Sequence, residues 1–222
     1  MDRIKRTALL HLLICIVGVW ASIFGVICFQ KYLLMALPLG IRMVVMIFIY
    51  WLIMAVPVIF VFISHVKPAE LGFTKDNLPA QILVGIGVGV TMSLTLTLVP
   101  TLLGFGDWVS SGKNYTEWWQ FAYEFIYCIG AVGVTEEFIF RGYFVHKLRQ
   151  IKDSSLFAGI VSSVMFGLFH IFGGNAVQVI FTSVIGGILY VCREKVKHCT
   201  LLSLIIAHGV YDALICVWSF VF

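Results

Sequence analysis

The sequence carries little charge. Asp, Glu, Lys and Arg make up only 12% of its 222 residues, whereas soluble globular domains carry roughly 25%. Hydrophobic residues account for 61% of the chain, and the mean hydropathy is +1.03. This composition excludes an ordinary soluble domain and leaves no room for a separate one. It predicts an all-α polytopic membrane protein in which residues 1–222 form a single membrane domain.

Patterns that would indicate a disulfide framework, a zinc finger or a nucleic-acid surface are also missing. The six cysteines include no C-x-x-C pair and lie mostly in or beside apolar runs. Buried free cysteine behaves as a small hydrophobic residue, so these cysteines predict neither disulfides nor zinc. The net charge of +4 is dispersed along the chain without a basic face. This dispersion argues against nucleic acid as a partner.

The chain contains no internal repeat, no low-complexity tract and no linker. Apolar segments instead follow one another, separated by short breaks that are polar or contain Gly and Pro. Segments of this length and composition are typical of spanning helices, and their number predicts a bundle of about seven. The helices are expected near residues 8–29, 41–64, 79–103, 119–149, 155–172, 176–192 and 200–221.

Basic residues are distributed unevenly between the two sets of connections. Most of them lie in the N-terminal segment and in the connections near 65–78, 147–154 and 193–199. The opposite side keeps only Lys31, Arg42 and Lys113. The positive-inside rule therefore predicts a cytoplasmic N-terminus. Because the first apolar run, 8–29, is too long for the core of a signal peptide, it is interpreted as the first span.

Three polar clusters interrupt the apolar segments. An ionisable side chain at membrane depth costs several kcal/mol unless it is paired or hydrated, so such residues predict a functional site. The candidate site residues are Glu136, Glu137, Arg141, His170, His208 and Asp212.

The first cluster contains two adjacent glutamates. In a helix, Arg141 lies one turn after Glu137 on the same face, whereas Glu136 is turned away from Arg141. Arg141 can therefore neutralise Glu137 and leave Glu136 to face a pocket. A buried carboxylate without a cation suits a general base that takes a proton from water. The alternative is an ion-pair cluster at a helix end, where charged side chains are common.

The histidines are expected at the same depth as the glutamates. Glu137 and His170 each lie about 16 residues from the middle of the turn at 152–154, so an antiparallel helix pair places them side by side. His208 lies roughly 13 Å into its span, and Asp212 follows it by one turn on the same face. Asp212 could orient the His208 imidazole or bind a metal ion directly. For a lone membrane histidine, packing or hydrogen bonding between helices is the alternative.

These clusters form three ordered motifs: Glu-Glu-x-x-x-Arg, then Phe-x-x-x-His, then His-x-x-x-Asp. Together they resemble the CPBP (CAAX protease and bacteriocin-processing) family of intramembrane proteases. The resemblance covers about residues 135–214, which would be the catalytic core. It implies hydrolysis of a peptide bond within a membrane cavity that opens to the cytoplasm.

The resemblance also implies roles for individual residues. Glu136 would be the base that activates water, assisted by His170, and His208 would help to stabilise the oxyanion. Glu137 and Arg141 would hold the site together.

One position departs from the pattern of the prenyl endopeptidases of this family. Their last motif is His-x-x-x-Asn, whereas this chain has Asp212 in place of the asparagine. Ionised aspartate cannot donate a hydrogen bond to an oxyanion. Asp212 would therefore be a protonated donor, an orienter of His208, or a metal ligand. The cofactor is accordingly either none or zinc, with the metal-free mechanism favoured. A zinc shell would comprise Glu136, His170, His208 and Asp212.

The predicted function is that of an intramembrane endopeptidase acting in contact with membrane lipid. Its substrate would be a membrane-associated peptide or protein, with or without a prenyl group, and its location the plasma membrane of a bacterium. A non-catalytic bacteriocin-immunity or scaffold protein is one alternative. A proton-coupled transporter is another, because intramembrane Glu, His and Asp also serve proton relays, although no inverted repeat is present.

Overall fold

A computed structural model describes residues 2–110, 112–113, 115–172 and 176–222. Helix is the only regular secondary structure in these described ranges. The predicted all-α class is therefore confirmed. Long apolar stretches favour helices in a membrane because a helix satisfies its backbone hydrogen bonds within one segment.

The N-terminal part consists of one long helix and one broken helix. Helix α1 spans Arg3–Tyr32. Helices α2 (Leu39–Trp51) and α3 (Ala55–Ile63) are separated by the tight turn Leu52–Met54. Pro57 follows this turn, and since proline has no N–H, it cannot donate a hydrogen bond to the preceding turn of the helix.

The next helices bring the chain back across the bundle. After the short α4 (Pro68–Leu71), α5 (Leu78–Ser93) continues through wide turns to α6 (Gly106–Val109). Gly85 and Gly89 of α5 face the last helix of the chain, where a Cβ on either residue would lie within 2.7 Å of a backbone oxygen. These two glycines therefore allow the close helix contact that small residues permit in membranes.

Residues 118–151 form one continuous helical stretch, which we call the site helix. Its turns are not uniform, because ordinary α-helical segments alternate with wider π-helical segments. In order, the segments are α7 (Trp118–Tyr127), the π turn Cys128–Gly133, α8 (Val134–Glu137), the π turn Phe138–Phe144 and α9 (Val145–Ile151). Such wide turns are rare and occur frequently at functional sites.

Three helices complete the bundle. Helix α10 (Ser155–Phe169) ends in the tight turn His170–Phe172, and α11 spans Ala176–Lys195. Helix α12 (Leu201–Val221) lies at the centre, since 61% of its most apolar stretch is buried within the protein. Its central position brings its polar residues beside the site helix.

Within the described residues, six helices are long and apolar enough to cross a membrane. The protein is therefore an integral membrane protein, but the predicted number of about seven spans is not confirmed. The segment predicted at 119–149 accounts for the difference between seven and six. It is helical and lies within the site helix. This helix is long enough to span a bilayer, but it contains Glu124, Glu136, Glu137 and Arg141.

The basic connections of the chain lie together at one end of the bundle. The Leu201 N–H donates to the Gly72 carbonyl over 3.0 Å, which joins the loop after α11 to the loop after α4. At the same end, the Arg149 guanidinium lies 2.8 Å from the Glu194 carboxylate. We call this the basic end.

Candidate active site

The six predicted site residues come together between the site helix, the end of α10 and α12. Glu136 and Glu137 lie on α8, between the two π turns, and are 2% and 0% exposed. Arg141 is also fully buried. Buried ionisable groups at this depth need partners, because removing an unpaired charge from water costs several kcal/mol.

Glu137 has two cationic or polar partners. Its Oε1 atom lies 2.8 Å from Nη1 of Arg141 and 2.7 Å from Nδ1 of His208. The guanidinium carbon of Arg141 also stacks 4.2 Å from the centre of the Phe166 ring. Charge-assisted hydrogen bonds and a cation–π contact therefore offset part of the cost of burying this charge pair. Oε2 of Glu137 and the Nε and Nη2 atoms of Arg141 are buried without a hydrogen-bond partner within the described residues. The structure places Glu137, rather than Glu136, against Arg141.

Glu136 divides its two oxygens between different neighbours. Its Oε1 accepts a hydrogen bond from the hydroxyl of Tyr50. Its Oε2 is buried and has no hydrogen-bond partner within the described part of the chain. That oxygen lies 3.7 Å from Nε2 of His208 and 3.9 Å from Nε2 of His170. Both distances are too long for direct hydrogen bonds and suit a bridging water.

His170 is held by the backbone of its own helix. Its Nδ1 lies 2.9 Å from the carbonyl oxygen of Phe166, one turn earlier. Because a carbonyl only accepts, Nδ1 carries the proton. In the neutral imidazole the lone pair then lies on Nε2, which faces Glu136. The side chain remains 24% exposed and forms part of the rim of the site.

His208 lies between carboxylates on both sides of its ring. Nδ1 faces Glu137, while Nε2 lies 3.3 Å from Oδ2 of Asp212, one turn later on α12. Asp212 is 28% exposed, whereas the His208 side chain is 5% exposed. The i, i+4 spacing therefore brings these two side chains together, as the helical periodicity predicts.

The carbonyl oxygens of the two π turns are used by side chains of neighbouring helices. A π turn replaces the regular i to i−4 hydrogen bonds with i to i−5 bonds, and the change of register lets carbonyls of the turn accept from other donors as well. Three such donors come from α2, α10 and α11. They are Trp51 Nε1 to Gly130 O at 2.8 Å, Ser162 Oγ to Phe140 O at 2.7 Å, and Arg193 Nη1 to Arg141 O. These contacts stabilise the irregular backbone that presents the glutamates.

Tyr50 and Arg193 belong to the site although no motif in the sequence predicts them. A tyrosine within the apolar segment 41–64 is only a weak indication of a site residue. A buried phenol needs a hydrogen-bond partner, but the amino-acid sequence does not identify that partner. The apolar pattern predicts that Arg193 lies in a loop after residue 192, whereas α11 continues to Lys195.

The predicted metal ligands do not form a metal centre by geometry. Within the described residues, no three or more His, Cys, Asp or Glu side chains are arranged so that they could hold a metal ion. The donor types of Glu136, His170, His208 and Asp212 suit zinc, but Glu136 Oε1 and both nitrogens of His208 face other partners. We therefore derive no step through a metal ion.

Comparison with protein families gives a match to part of the chain. Residues 118–214 match the family described as type II CAAX prenyl endopeptidase Rce1-like. The matched region begins with the site helix and contains all six predicted site residues. Comparison with curated proteins and with solved structures found no match. The family match confirms the resemblance carried by the three motifs: residues 118–214 are similar to the CAAX prenyl endopeptidases.

Proposed function

We propose that this protein is an intramembrane endopeptidase that hydrolyses a peptide bond with a water activated by glutamate and histidine. One observation carries the proposal. The buried Oε2 of Glu136 has no hydrogen-bond partner within the described residues, yet it lies within 4 Å of two imidazoles. The family match over 118–214 adds independent support.

In the first step, Glu136 is the general base. A water hydrogen-bonded to Oε2 loses a proton to this carboxylate while its oxygen attacks the carbonyl carbon of the substrate. The lone pair on Nε2 of His170 accepts the second hydrogen bond of that water and orients it. Holding the water and the peptide bond together in this way supplies the proximity that hydrolysis requires.

In the second step, the tetrahedral intermediate breaks down. His208 donates its Nε2–H to the oxyanion, since a hydrogen-bond donor aimed at the developing charge lowers the barrier. The proton held by Glu136 then passes to the amine nitrogen as the carbon–nitrogen bond breaks. One water is consumed, and the products are a carboxylic acid and an amine.

The remaining residues position these groups. Glu137 accepts from Nδ1 of His208 and from Arg141, so it fixes the ring and directs Nε2 towards the reaction. Asp212 accepts from Nε2 of His208 in the resting state and releases it to the oxyanion. The partial exposure of Asp212 and His170 supports entry of water and substrate on this side.

We further propose that the reaction needs no metal ion, and that zinc is the alternative to be tested. Activity should survive treatment with 1,10-phenanthroline, and the purified protein should contain no stoichiometric zinc by elemental analysis. Inactivation that added zinc reverses would contradict the metal-free mechanism, while leaving endopeptidase activity in place.

The substrate is proposed to be a membrane-associated protein or peptide. The name of the matching family points to a prenylated protein that ends in a CAAX sequence. A substrate of this kind approaches from the membrane and its lipid. We place the N-terminus and the basic end in the cytoplasm, and the protein in the plasma membrane of a bacterium.

The direct test uses the full chain reconstituted in lipid vesicles. The probes are a fluorogenic peptide that ends in farnesyl-cysteine followed by three residues, and the same peptide without the farnesyl group. Glu136→Gln should lower the rate by about 10²- to 10⁴-fold, the range for loss of a general base. Mass spectrometry of the products then locates the cleaved bond.

The matched control is Asp107→Asn, which removes an exposed carboxylate on α6. This variant should retain the activity of the unaltered protein. Cleavage of neither probe by the unaltered protein, or equal activity in Glu136→Gln, would contradict the proposal. If the protein keeps its biological effect in cells after the Glu136→Gln substitution, a non-catalytic immunity role would be favoured.

A further inference from the structure

Helix α2 is attached to the site through its last turn. Among the described residues, α2 contributes none that is fully buried. Its C-terminal end is nevertheless joined to the site helix by hydrogen bonds from side chains on both helices. These bonds run from Tyr50 Oη to Glu136 Oε1, from Trp51 Nε1 to Gly130 O at 2.8 Å, and from Thr135 Oγ1 to Tyr50 O at 3.5 Å.

The break after α2 explains how this contact is made. The helix changes to the tight turn Leu52–Met54 directly after Trp51, and α3 then contains Pro57. A break of this kind allows the two halves of a spanning segment to face different neighbours. Since Tyr50 and Trp51 lie immediately before it, the break aims both side chains at the site helix.

The contact selects one oxygen of Glu136. The Tyr50 hydroxyl takes Oε1, while Oε2 faces the two imidazoles at 3.7 and 3.9 Å. A hydroxyl that donates to a carboxylate forms a charge-assisted bond, which is stronger than a bond between neutral groups. Such a bond fixes the rotation of the carboxylate.

We propose that Tyr50 is a positioning residue for the general base. It holds the Glu136 carboxylate so that Oε2 alone points at the water. This inference rests on the proposed hydrolytic function. It concerns a residue on α2, which lies outside the region that matches the protease family.

The test compares Tyr50→Phe with the unaltered full chain in lipid vesicles, with the farnesylated fluorogenic peptide as the probe. Loss of a hydrogen bond to a charged group should lower kcat by about 10- to 100-fold. KM should stay nearly constant, because Tyr50 touches the base and is not expected to touch the substrate.

A second readout separates positioning from a structural role. A merely structural role would lower the amount of folded protein and leave kcat per folded molecule unchanged. Thermal unfolding should therefore show that Tyr50→Phe is as folded as the unaltered protein, while its kcat falls at nearly constant KM.

Tyr127→Phe is the matched control. The Tyr127 ring lies 6.0 Å from the Tyr50 ring, edge to face, and phenylalanine keeps this contact. The control should retain both kcat and the thermal unfolding midpoint. If Tyr50→Phe also retains its kcat, or loses activity only in proportion to its loss of folded protein, the positioning role is overturned while the endopeptidase proposal stands. If the unaltered protein cleaves neither probe, both proposals are overturned.

Discussion

Arg141 is a large cation in a fully buried place, so the protein must supply both countercharge and space. Glu137 supplies the charge at 2.8 Å, and Phe166 supplies a ring at 4.2 Å. Space comes from α11, where a Cβ on Gly186 would lie 3.0 Å from Nη2 of Arg141 and 3.0 Å from the Phe166 ring. Gly186 therefore leaves the space that this tight packing uses. A Cβ on the neighbouring Gly187 would meet only one atom within 4 Å, Ser163 Oγ at 3.9 Å.

At this scale we predict different effects for the same substitution at adjacent glycines. Gly186→Val should lower the free energy of unfolding by about 1–3 kcal/mol, because it overpacks the contact with Arg141. It should also reduce peptide cleavage, since Arg141 holds Glu137. Gly187→Val should change stability by no more than about 0.5 kcal/mol. Unfolding in bicelles, followed by tryptophan fluorescence, provides the measurement. Equal losses in both variants would show that Gly186 has no special contact with the site.

At the scale of elements, the irregular turns of the site helix depend on its neighbours. The π turn Phe138–Phe144 follows the glutamates directly, and its carbonyls at Phe140 and Arg141 accept from Ser162 and Arg193. A buried carbonyl without a partner costs about 1–3 kcal/mol. Helices α10 and α11 therefore contribute to the stability of the wide turn through these two donors.

This dependence predicts unequal effects for two adjacent serines of α10. Ser162→Ala removes the donor to Phe140 O, so it should lower stability by about 1–3 kcal/mol and reduce cleavage. Ser163→Ala removes a hydroxyl that donates to Gly159 O within its own helix, a carbonyl that the helix backbone already uses. Its effect on stability should stay below about 0.5 kcal/mol. Thermal unfolding and cleavage of the fluorogenic peptide measure both, and a larger effect at Ser163 would contradict the role given to Ser162.

At the scale of the whole molecule, charge is distributed unequally between the two ends of the bundle. Most of the basic residues outside the helix interiors lie in four connections. These are the two connections on either side of α4, the one between the site helix and α10, and the one between α11 and α12. Hydrogen bonds such as Leu201 N to Gly72 O hold two of these connections together. Basic connections remain on the cytoplasmic side during insertion.

We therefore predict the orientation of the chain in cells. In a background without the native cysteines, Lys197→Cys should be protected from a membrane-impermeant maleimide in intact cells and labelled in inverted vesicles. Asp107→Cys should give the reverse pattern, because α6 lies at the opposite end. The cysteine-free parent provides the blank. Labelling of Lys197→Cys from outside intact cells would invert the proposed topology.

Much of the helix pattern could be predicted from the sequence, because long apolar runs and their breaks are local properties. The segment predicted at 155–172 agrees with α10 and its final turn, and the one at 200–221 differs from α12 by one residue. The predicted end of α11, at residue 192, is too early. Basic residues in a last helical turn favour its continuation, since they interact with the helix dipole.

The candidate site could be predicted in part. Periodicity within one helix relates Glu137 to Arg141 and His208 to Asp212, because these pairs are four residues apart. Tyr50 could not be found in this way, since it lies 86 residues from Glu136 and meets it only through the break after α2. The contact of His208 with Glu137 likewise depends on how α12 is rotated against the site helix.

The sequence by itself determined the membrane class of the protein, the approximate positions of its helices and the six ionisable residues at membrane depth. These properties follow from composition and from helical spacing, which act over a few residues. Only the tertiary structure decided which oxygen of Glu136 faces the imidazoles, which carboxylate holds His208 and which residues satisfy the wide turns. Those contacts depend on the rotation and tilt of helices, and packing against neighbouring helices sets both.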